Sequence, residues 1–246
     1  MTGAAALLET RSLALRAAGR VLVEGLDWTV RPGERWCVVG RNAAGKSTLL
    51  RALAGVGEVG VHAHGEVVWQ GRAQRRWSAL DAAALRAFMP QQAADRFPIT
   101  VARLLELSVV RPAHDVASVL AALDIAALAP RPVLELSGGE RQRVALAQAV
   151  LQGAPLVLLD EPVAFQDPAH QAQVARWLVG GLPADLALVV SAHDVNWIAR
   201  VATHVLALLP DGRCVQGEAS ALLDARVLEQ VYGCAWREVG GVWIAD

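Results

Sequence analysis

The chain has 246 residues, a formal net charge of −1 and a sequence pI of about 6.6, which excludes the strongly basic surface typical of nucleic-acid-binding proteins. Hydrophobic residues make up 54% of it, but no apolar run approaches the roughly 20 residues that a membrane-spanning helix needs. Residues 1–9 lack the basic start and the apolar run of a signal peptide. The cysteines Cys37, Cys214 and Cys234 lack metal-ligand spacing and are typical of reduced thiols in the cytosol.

Short strands are predicted in the first third of the chain. Residues 13–15, 21–23 and 26–30 have strand patterns, and the last of these alternates apolar and polar side chains. Residues 65–71 predict a further strand, with His62 and His64 in the loop before it. Two histidines at this spacing can bind a metal ion, but no cysteine or carboxylate supports them, so we favour a solvated loop.

Helical patterns dominate the middle of the chain, and buried strands return after residue 155. Continuous apolar runs at 156–159, 186–190 and 205–209 are typical of parallel strands buried on both faces. N-cap residues mark the predicted helix starts, at Thr100, Asp115, Ser137, Asp167 and Ser220. We therefore predict one α/β domain, with core segments 1–91 and 151–246 and an inserted helical part at about 92–150.

A glycine-rich loop follows the apolar run Cys37–Val39 and precedes a helical stretch. Its spacing, G-x-x-x-x-G-K-[ST], is that of a phosphate-binding loop, in which backbone N–H groups and a helix N-terminus bind phosphate oxygens. Lys46 is expected to reach the β- and γ-phosphates, and the Ser47 hydroxyl to bind Mg²⁺. The predicted nucleotide-binding residues here are Gly40, Arg41, Asn42, Ala43, Ala44, Gly45, Lys46, Ser47 and Thr48.

Asp160 and Glu161 follow the apolar run 156–159 directly. The carboxyl ends of strands in open α/β sheets face the crevice in which ligands bind. Asp160 is suited to the Mg²⁺ shell, and Glu161 to orienting or deprotonating an attacking water. The alternative reading, a carboxylate pair that caps the next turn before Pro162, is less favoured beside a phosphate loop.

A second anion site is predicted at Leu136–Gln142, which reads LSGGERQ. Ser137 and Glu140 form a capping box at a helix start. The pair Gly138 and Gly139 disfavours the helix by about 1 kcal/mol each relative to alanine, so it requires another explanation. Glycines here allow another group to approach the helix N-terminus, which attracts anions.

These motifs resemble those of the nucleotide-binding subunits of ATP-binding-cassette (ABC) transporters, and the likeness covers nearly all of the chain, with LSGGERQ matching the family signature. The resemblance implies a P-loop NTPase (RecA-like) core with an antiparallel β subdomain and an inserted α-helical subdomain. It also implies a head-to-tail dimer of two copies that sandwiches two ATP molecules. Ser137, Gly138 and Gly139 of one copy would then contact the γ-phosphate held by the phosphate loop of the other.

Three further residues match family positions. Gln91 matches the glutamine that touches Mg²⁺ and water, Asp167 the aspartate that acts across the dimer, and His193 the histidine that contacts the γ-phosphate. Asp167 also reads as the N-cap before Pro168, and the leucine that usually precedes it is Gln166 here. The expected catalytic residues are thus Glu161, His193 and Gln91, and the expected metal ligands are Ser47, Gln91 and Asp160.

The chain departs from the family pattern at two places. In the phosphate loop, Ala43 replaces a usual glycine and Arg41 a usual proline, and alanine disfavours positive φ. The aromatic residue that often stacks on adenine is missing from residues 16–19, so adenine is expected to rest on Arg16 or an apolar surface. We therefore expect little preference for ATP over GTP.

The resemblance is greatest to the ferric siderophore, haem and vitamin B12 importer group, through Met89–Gln92, Ser191–Trp197 and Leu228–Gly233. It implies an ATPase subunit peripheral to the cytoplasmic face of the inner membrane. The expected partners are a second copy of the chain and a polytopic permease with a periplasmic or lipid-anchored binding protein; nucleic acid is not expected. Molybdate or other metal importers, and a soluble non-transport ABC ATPase, remain as alternatives, while a non-hydrolysing subunit disagrees with the presence of Glu161 and His193.

Overall fold

The computed structural model describes residues 5–92 and 98–246. The first four residues, within the stretch without a signal-peptide pattern, and residues 93–97, within the predicted helical insertion, lie outside this range. The chain has the predicted α/β fold. The helices are α1 (Lys46–Ala54), α2 (Ala79–Leu85), α3 (Val101–Ser108), α4 (Val116–Ala122), α5 (Gly138–Leu151), α6 (Pro168–Gly180), α7 (Val195–Val201), α8 (Ala219–Leu222) and α9 (Ala225–Tyr232). The strands are β1 (Leu8–Ala17), β2 (Arg20–Val30), β3 (Arg35–Val39), β4 (Val61–Trp69), β5 (Arg72–Ala73), β6 (Arg86–Met89), β7 (Leu156–Asp160), β8 (Ala187–Ser191), β9 (His204–Leu208), β10 (Cys214–Glu218), β11 (Trp236–Val239) and β12 (Val242–Ala245).

The first sheet is antiparallel, in the order β2-β1-β4-β5. The two strands predicted at 21–23 and 26–30 are one strand, β2, because a bulge at Gly25, with φ +60°, lets pairing with β1 continue. The loop predicted at the histidine pair was also wrong, although both side chains are exposed to solvent as expected. His62 and His64 lie on β4, opposite Arg16 and Ala14 of β1, because backbone pairing extends this strand beyond its apolar part.

The second sheet has six strands in the order β10-β9-β3-β8-β7-β6, and all but β10 run parallel. Alternate side chains of its strands belong to two separate cores. Leu156 and Leu158 pack with α1 and the antiparallel sheet, whereas Val157 and Leu159 pack with α3, α5, α6 and α7. Covering on both faces explains the continuous apolar runs in these strands.

The N-caps predicted at Thr100, Asp115, Ser137 and Asp167 are confirmed. The cap predicted at Ser220 was wrong, since Ser220 lies inside α8. Asp224 caps the following helix, α9, by accepting a hydrogen bond from the Arg226 N–H at 2.8 Å. The strands β11 and β12 form a separate two-stranded sheet that the sequence did not predict.

The strand order determines where the chemical groups lie. The parallel strands β3, β8, β7 and β6 are consecutive neighbours, so the loops at their carboxyl ends emerge side by side. These loops carry the phosphate loop, His193, the Asp160–Glu161 pair and Gln91. The crevice at this edge of the sheet is therefore the place to look for a ligand site.

A substitution at Gly65 tests the close packing of the antiparallel sheet. Gly65 lies against a bulge in β1 and has φ +87°. A methyl group on Gly65 would overlap the carbonyl oxygens of Arg11 and Ser12. We expect Gly65→Ala to lower the free energy of unfolding by about 2–4 kcal/mol, measured by urea denaturation. Gly57→Ala is the matched control, because no atom lies within 4 Å of its added methyl and its φ is ordinary; equal stability of the two variants would contradict the prediction.

Candidate functional site

The loop between β3 and α1 has the geometry of a phosphate cradle. Gly45 precedes α1 with φ +99°, and a Cβ there would lie 2.9 Å from the Cβ of Leu22, so only glycine fits. Ala43 has φ +60°, the left-handed conformation that alanine disfavours by about 1 kcal/mol. The loop therefore keeps the curved backbone despite lacking the usual glycine at this position.

Lys46 lies across the inside of the loop. Its side chain is buried, and its ammonium donates to the carbonyl oxygens of Gly40 at 2.8 Å and Arg41 at 3.2 Å. Burial lowers the pKa of Lys46, and the carboxylates of Glu161 and Asp160 oppose that shift by favouring the charged form. A buried cation thus faces the cradle, where an anionic ligand would stabilise it.

The Asp160 carboxylate is fully buried at the end of β7. Its Oδ1 accepts hydrogen bonds from the hydroxyls of Ser47, at 3.0 Å, and Ser191, at 2.6 Å. Its Oδ2 has no hydrogen-bond partner within residues 5–92 and 98–246. Because an unpartnered buried carboxylate oxygen is costly, a cation bound at this atom would stabilise it.

Glu161 has φ +50°, an uncommon conformation for a residue with a long side chain. Its N–H donates to the carbonyl oxygen and the hydroxyl of Ser191, at 3.2 and 3.0 Å. Its Oε2 accepts from the Gln91 amide at 3.1 Å and lies 3.9 Å from Nδ1 of His193. Backbone strain of this kind is typical of functional sites, where the surrounding contacts hold it.

The predicted residues fall into two groups. Residues 42–48 of the phosphate loop, Gln91, Glu161 and His193 line one cavity of about 580 Å³, with Leu22 on its wall. Gly40 and Arg41 do not line it, and Arg41 borders a neighbouring cleft of about 270 Å³. Asp160 is buried beneath the cavity and joined to it through Ser47. Ser137, Gly138, Gly139 and Asp167 line a different cavity of about 580 Å³, together with Phe165 and His170. A single chain therefore brings together the cradle and the carboxylates, but not the LSGGERQ segment.

Backbone packing beside the second cavity explains the need for glycine at one of the two signature positions, 138 and 139. The capping box of Ser137 and Glu140 is present, and a Cβ on Gly139 would lie 3.1 Å from the carbonyl oxygen of Phe165. The close group at Gly139 is thus backbone of the same chain, whereas a Cβ on Gly138 would make only ordinary contact, 3.8 Å from Phe165. Asp167 caps α6 and its carboxylate also contacts Nδ1 of His170 at 2.7 Å.

Comparison with known proteins agrees with this arrangement. A family model described as "ABC transporter" matches residues 23–164. The chain belongs to the ABC transporter family. It is 41% identical to the hemin import ATP-binding protein HmuV of Streptomyces coelicolor, over 89% of this chain and 81% of the relative, and 36% identical to HmuV of Roseobacter denitrificans, over 94% and 92%. Its fold is similar to that of a metal-chelate type ABC transporter in an inward-facing conformation, with a TM-score of 0.74 and 23% identity over 98% of this chain and 96% of that one.

Two contacts of this ABC site were not predicted. The Gln142 side chain, itself buried, donates to the Glu161 carbonyl oxygen at 2.7 Å, and so joins α5 to the strained residue. Ser191 joins β8 to Asp160, the last residue of β7, and to Glu161 directly after it. The signature motif named Gln142, but only the packing of α5 against the end of β7 reveals its partner.

None of the helices in the described part of this ABC chain is long and apolar enough to cross a membrane.

Ser191 provides a test of the buried hydrogen bonds. Ser191→Ala removes a donor to Asp160 and an acceptor of the Glu161 N–H, so two buried polar groups lose a partner. We expect the free energy of unfolding to fall by about 1–3 kcal/mol in a denaturant titration. Ser108→Ala is the control, because the Ser108 hydroxyl only bonds the Leu104 carbonyl one helical turn earlier. Equal, small losses in the two variants would be the contrary result.

Proposed function

We propose that this chain is the ATP-hydrolysing subunit of a bacterial ABC importer and energises uptake of haem or another metal chelate, such as a ferric siderophore or a corrinoid, through a separate membrane permease. The observation that carries the ATPase part is the cavity in which a phosphate cradle, a buried lysine and Glu161 face one another. The names of the relatives, hemin import ATP-binding proteins, support the cargo class. The residues of this chain contact the nucleotide and leave cargo recognition to the partners.

A magnesium ion fits beside the cradle. Mg²⁺ prefers oxygen ligands and is usually held by one or two protein groups together with substrate phosphates. The unpartnered Oδ2 of Asp160 and the Ser47 hydroxyl, which are joined through Oδ1, supply such oxygens, and Gln91 is close through its bond to Glu161. Ser47, Asp160 and Gln91 would hold the ion, which neutralises phosphate charge during phosphoryl transfer.

Hydrolysis would take place in front of Glu161. The Glu161 carboxylate accepts the proton of the attacking water or orients it, while Gln91 fixes Oε2 of that carboxylate from one side. His193 lies on the other side and contacts the γ-phosphate. Lys46 and the loop N–H groups of residues 40–48 hold the phosphates, so catalysis consists mainly of positioning and electrostatic stabilisation.

The second cavity would be completed by another copy of the chain. The α5 N-terminus and the Ser137 hydroxyl provide an anion site without a lysine from the phosphate loop. In a head-to-tail dimer, Ser137, Gly138 and Gly139 contact the γ-phosphate held by the other copy, and Asp167 acts across the interface. ATP binding closes this dimer and hydrolysis reopens it.

The permease would dock beside the helical part of the chain, which we propose spans about 92–150 between core segments 1–91 and 151–246. A cleft of about 460 Å³ lies there, between the end of β6 and helices α3 and α5. Its lining includes Phe88 and the exposed apolar side chains of Leu107 and Val110. A cytoplasmic segment of the permease with apolar side chains fits this cleft, and it would place the chain at the cytoplasmic face of the inner membrane. A periplasmic or lipid-anchored binding protein would deliver the cargo to that permease.

Replacement of Glu161 tests the proposed chemistry. We expect Glu161→Gln to bind ATP with unchanged affinity but to hydrolyse it at least about 100-fold more slowly, because the glutamine cannot accept the proton. The variant should also elute as a dimer in ATP during size-exclusion chromatography. Lys46→Ala serves as the contrast, since it should lose ATP affinity itself. Normal turnover by the Glu161 variant would refute its role as the base.

The base of the nucleotide should be recognised weakly. No aromatic ring other than the His193 imidazole lines the nucleotide cavity in the described ranges, and Arg16 is exposed on β1. We expect kcat/KM for ATP and GTP to differ by less than about tenfold, as measured with both nucleotides at saturating Mg²⁺. A larger preference for ATP would show that another feature reads adenine.

A further inference from the structure

The C-terminal segment from α9 to β12 packs against α7, near the nucleotide site, without joining either large sheet. Its strands β11 and β12 pair only with each other in the described part of the chain. Strand β12 of this segment contacts α7, and α7 begins two residues after His193. Its position beside the loop of His193 raises the question of what it does there.

Asn196, in the first turn of α7, forms a reciprocal pair of hydrogen bonds with the backbone of Trp243 in β12. Its Nδ2 donates to the Trp243 carbonyl oxygen at 3.0 Å, and its Oδ1 accepts from the Trp243 N–H at 2.7 Å. The asparagine amide thus pairs with the outer edge of β12 as a neighbouring strand would. Both bonds join positions 47 residues apart, so they fix the start of α7 to the end of the chain.

One further contact holds the same helix start, and α9 lies near it. Tyr232, the last residue of α9, packs on Trp236 of the same C-terminal segment with ring centroids 5.4 Å apart. Burial, together with the nearby carboxylate of Asp194, raises the pKa of Tyr232 to about 12, and Asp194 is the N-cap of α7. On the opposite side, Nε1 of Trp197 donates to the Gln171 carbonyl oxygen of α6 at 3.1 Å. The first turn of α7 is therefore held between α6 and the C-terminal segment.

The C-terminal segment also reaches the phosphate loop. A Cβ built on Gly233, directly after α9, would lie 3.7 Å from the guanidinium of Arg41. The C-terminal end of a helix attracts cations, and α9 has no basic residue in its own last turn. Arg41, which stands where the family usually has proline, therefore supplies that charge from the phosphate loop. The segment thus lies close to Arg41 of the phosphate loop and is bonded to Asn196, three residues after His193.

We propose that the segment Ala225–Ala245 is a positioning element of the nucleotide site, which fixes the loop carrying His193 through the Asn196–Trp243 pair. The inference rests on the proposed ATPase function, and it assigns a role in that function to the C-terminal segment. The His193 side chain is 64% exposed, and Nδ1 lies 3.9 Å from Glu161, so few contacts of its own hold it in place. Its position then depends on β8 before it and on the start of α7 after it.

The consequence is a separation of turnover from binding. The phosphate loop lies between β3 and α1, and none of the hydrogen bonds of Asn196 reaches it. A shift of about 1 Å in a catalytic group lowers turnover by up to about 100-fold, whereas ATP affinity comes mainly from the cradle. Loss of the Asn196 bonds should therefore change kcat and leave nucleotide affinity in place.

The test compares the full-length chain with Asn196→Ala and Asn196→Asp. We expect kcat to fall by at least about tenfold in both, while KM for ATP and the ATP dissociation constant stay within about twofold. Asn196→Asp keeps the size and shape of the side chain and can still accept from the Trp243 N–H. It replaces the donor to the Trp243 carbonyl oxygen by a second oxygen, so it removes that hydrogen bond without shortening the side chain. Amide hydrogen exchange should become faster in residues 191–197 and 242–244 but not in the phosphate loop.

Arg200→Ala is the matched control, since Arg200 is an exposed residue of the same helix and makes no hydrogen bond or ion pair within the described ranges. It should keep the parental kcat, and thermal unfolding of each variant identifies general loss of structure. Parental kcat in the folded Asn196 variants would overturn the inference, while inactive Glu161→Gln in the same experiment would leave the ATPase proposal standing. Equal losses of kcat and ATP affinity would also overturn it. Absence of ATP turnover in the parental chain would instead remove the ATPase proposal, and the inference with it.

Discussion

The hydrogen-bonded Asp160 carboxylate is the interaction on which the rest of the site depends. It is fully buried, and its Oδ1 joins the first turn of α1, through Ser47, to the end of β8, through Ser191. The ends of two neighbouring strands and the start of one helix are thereby held around one charge. Removing such a charge from water is costly, and two hydrogen bonds to one oxygen offset the cost only in part. The remaining oxygen, Oδ2, has no hydrogen-bond partner in the described ranges, so it is the atom at which the proposed magnesium ion would add most to the stability of the site.

Glu161 shows how this constraint extends to the next residue. With Asp160 directed into the sheet, the chain must turn abruptly, and Glu161 adopts φ +50°. Bonds from Ser191 and Gln142 to its backbone hold that conformation, and Gln142 belongs to the helix that begins at the signature. The backbone of Glu161 is therefore joined through α5 to the second cavity, which the first residues of that helix line. In the proposed dimer, the N-terminus of α5 would bind the γ-phosphate held by the other copy. Movement of α5 on that binding would reach Glu161 through its bond with Gln142.

The sequence predicted the chemical groups better than it predicted their supports. The phosphate loop, the carboxylate pair and the signature are local patterns whose spacing already implies a backbone geometry, as the φ angle of Gly45 confirms. The supports join distant positions: Gln142 to Glu161, Ser191 to Asp160, and Asn196 to Trp243. A single serine or asparagine has no periodicity, so its partner is known only from the packing of whole elements. The loop predicted at the histidines of β4 was wrong for the same reason, because pairing with β1 decides their backbone conformation.

The phosphate loop keeps its curved shape although Ala43 and Arg41 stand where the family usually has glycine and proline. Alanine at φ +60° favours another conformation by about 1 kcal/mol, so the loop needs compensation from its surroundings. The Lys46 ammonium supplies part of it by bonding the carbonyl oxygens of Gly40 and Arg41 from inside the loop. A proline at position 41 would restrict the backbone directly. Arginine does not, so the bonds from Lys46 to the carbonyl oxygens of Gly40 and Arg41 stabilise the curved form of a loop whose own residues do not favour it.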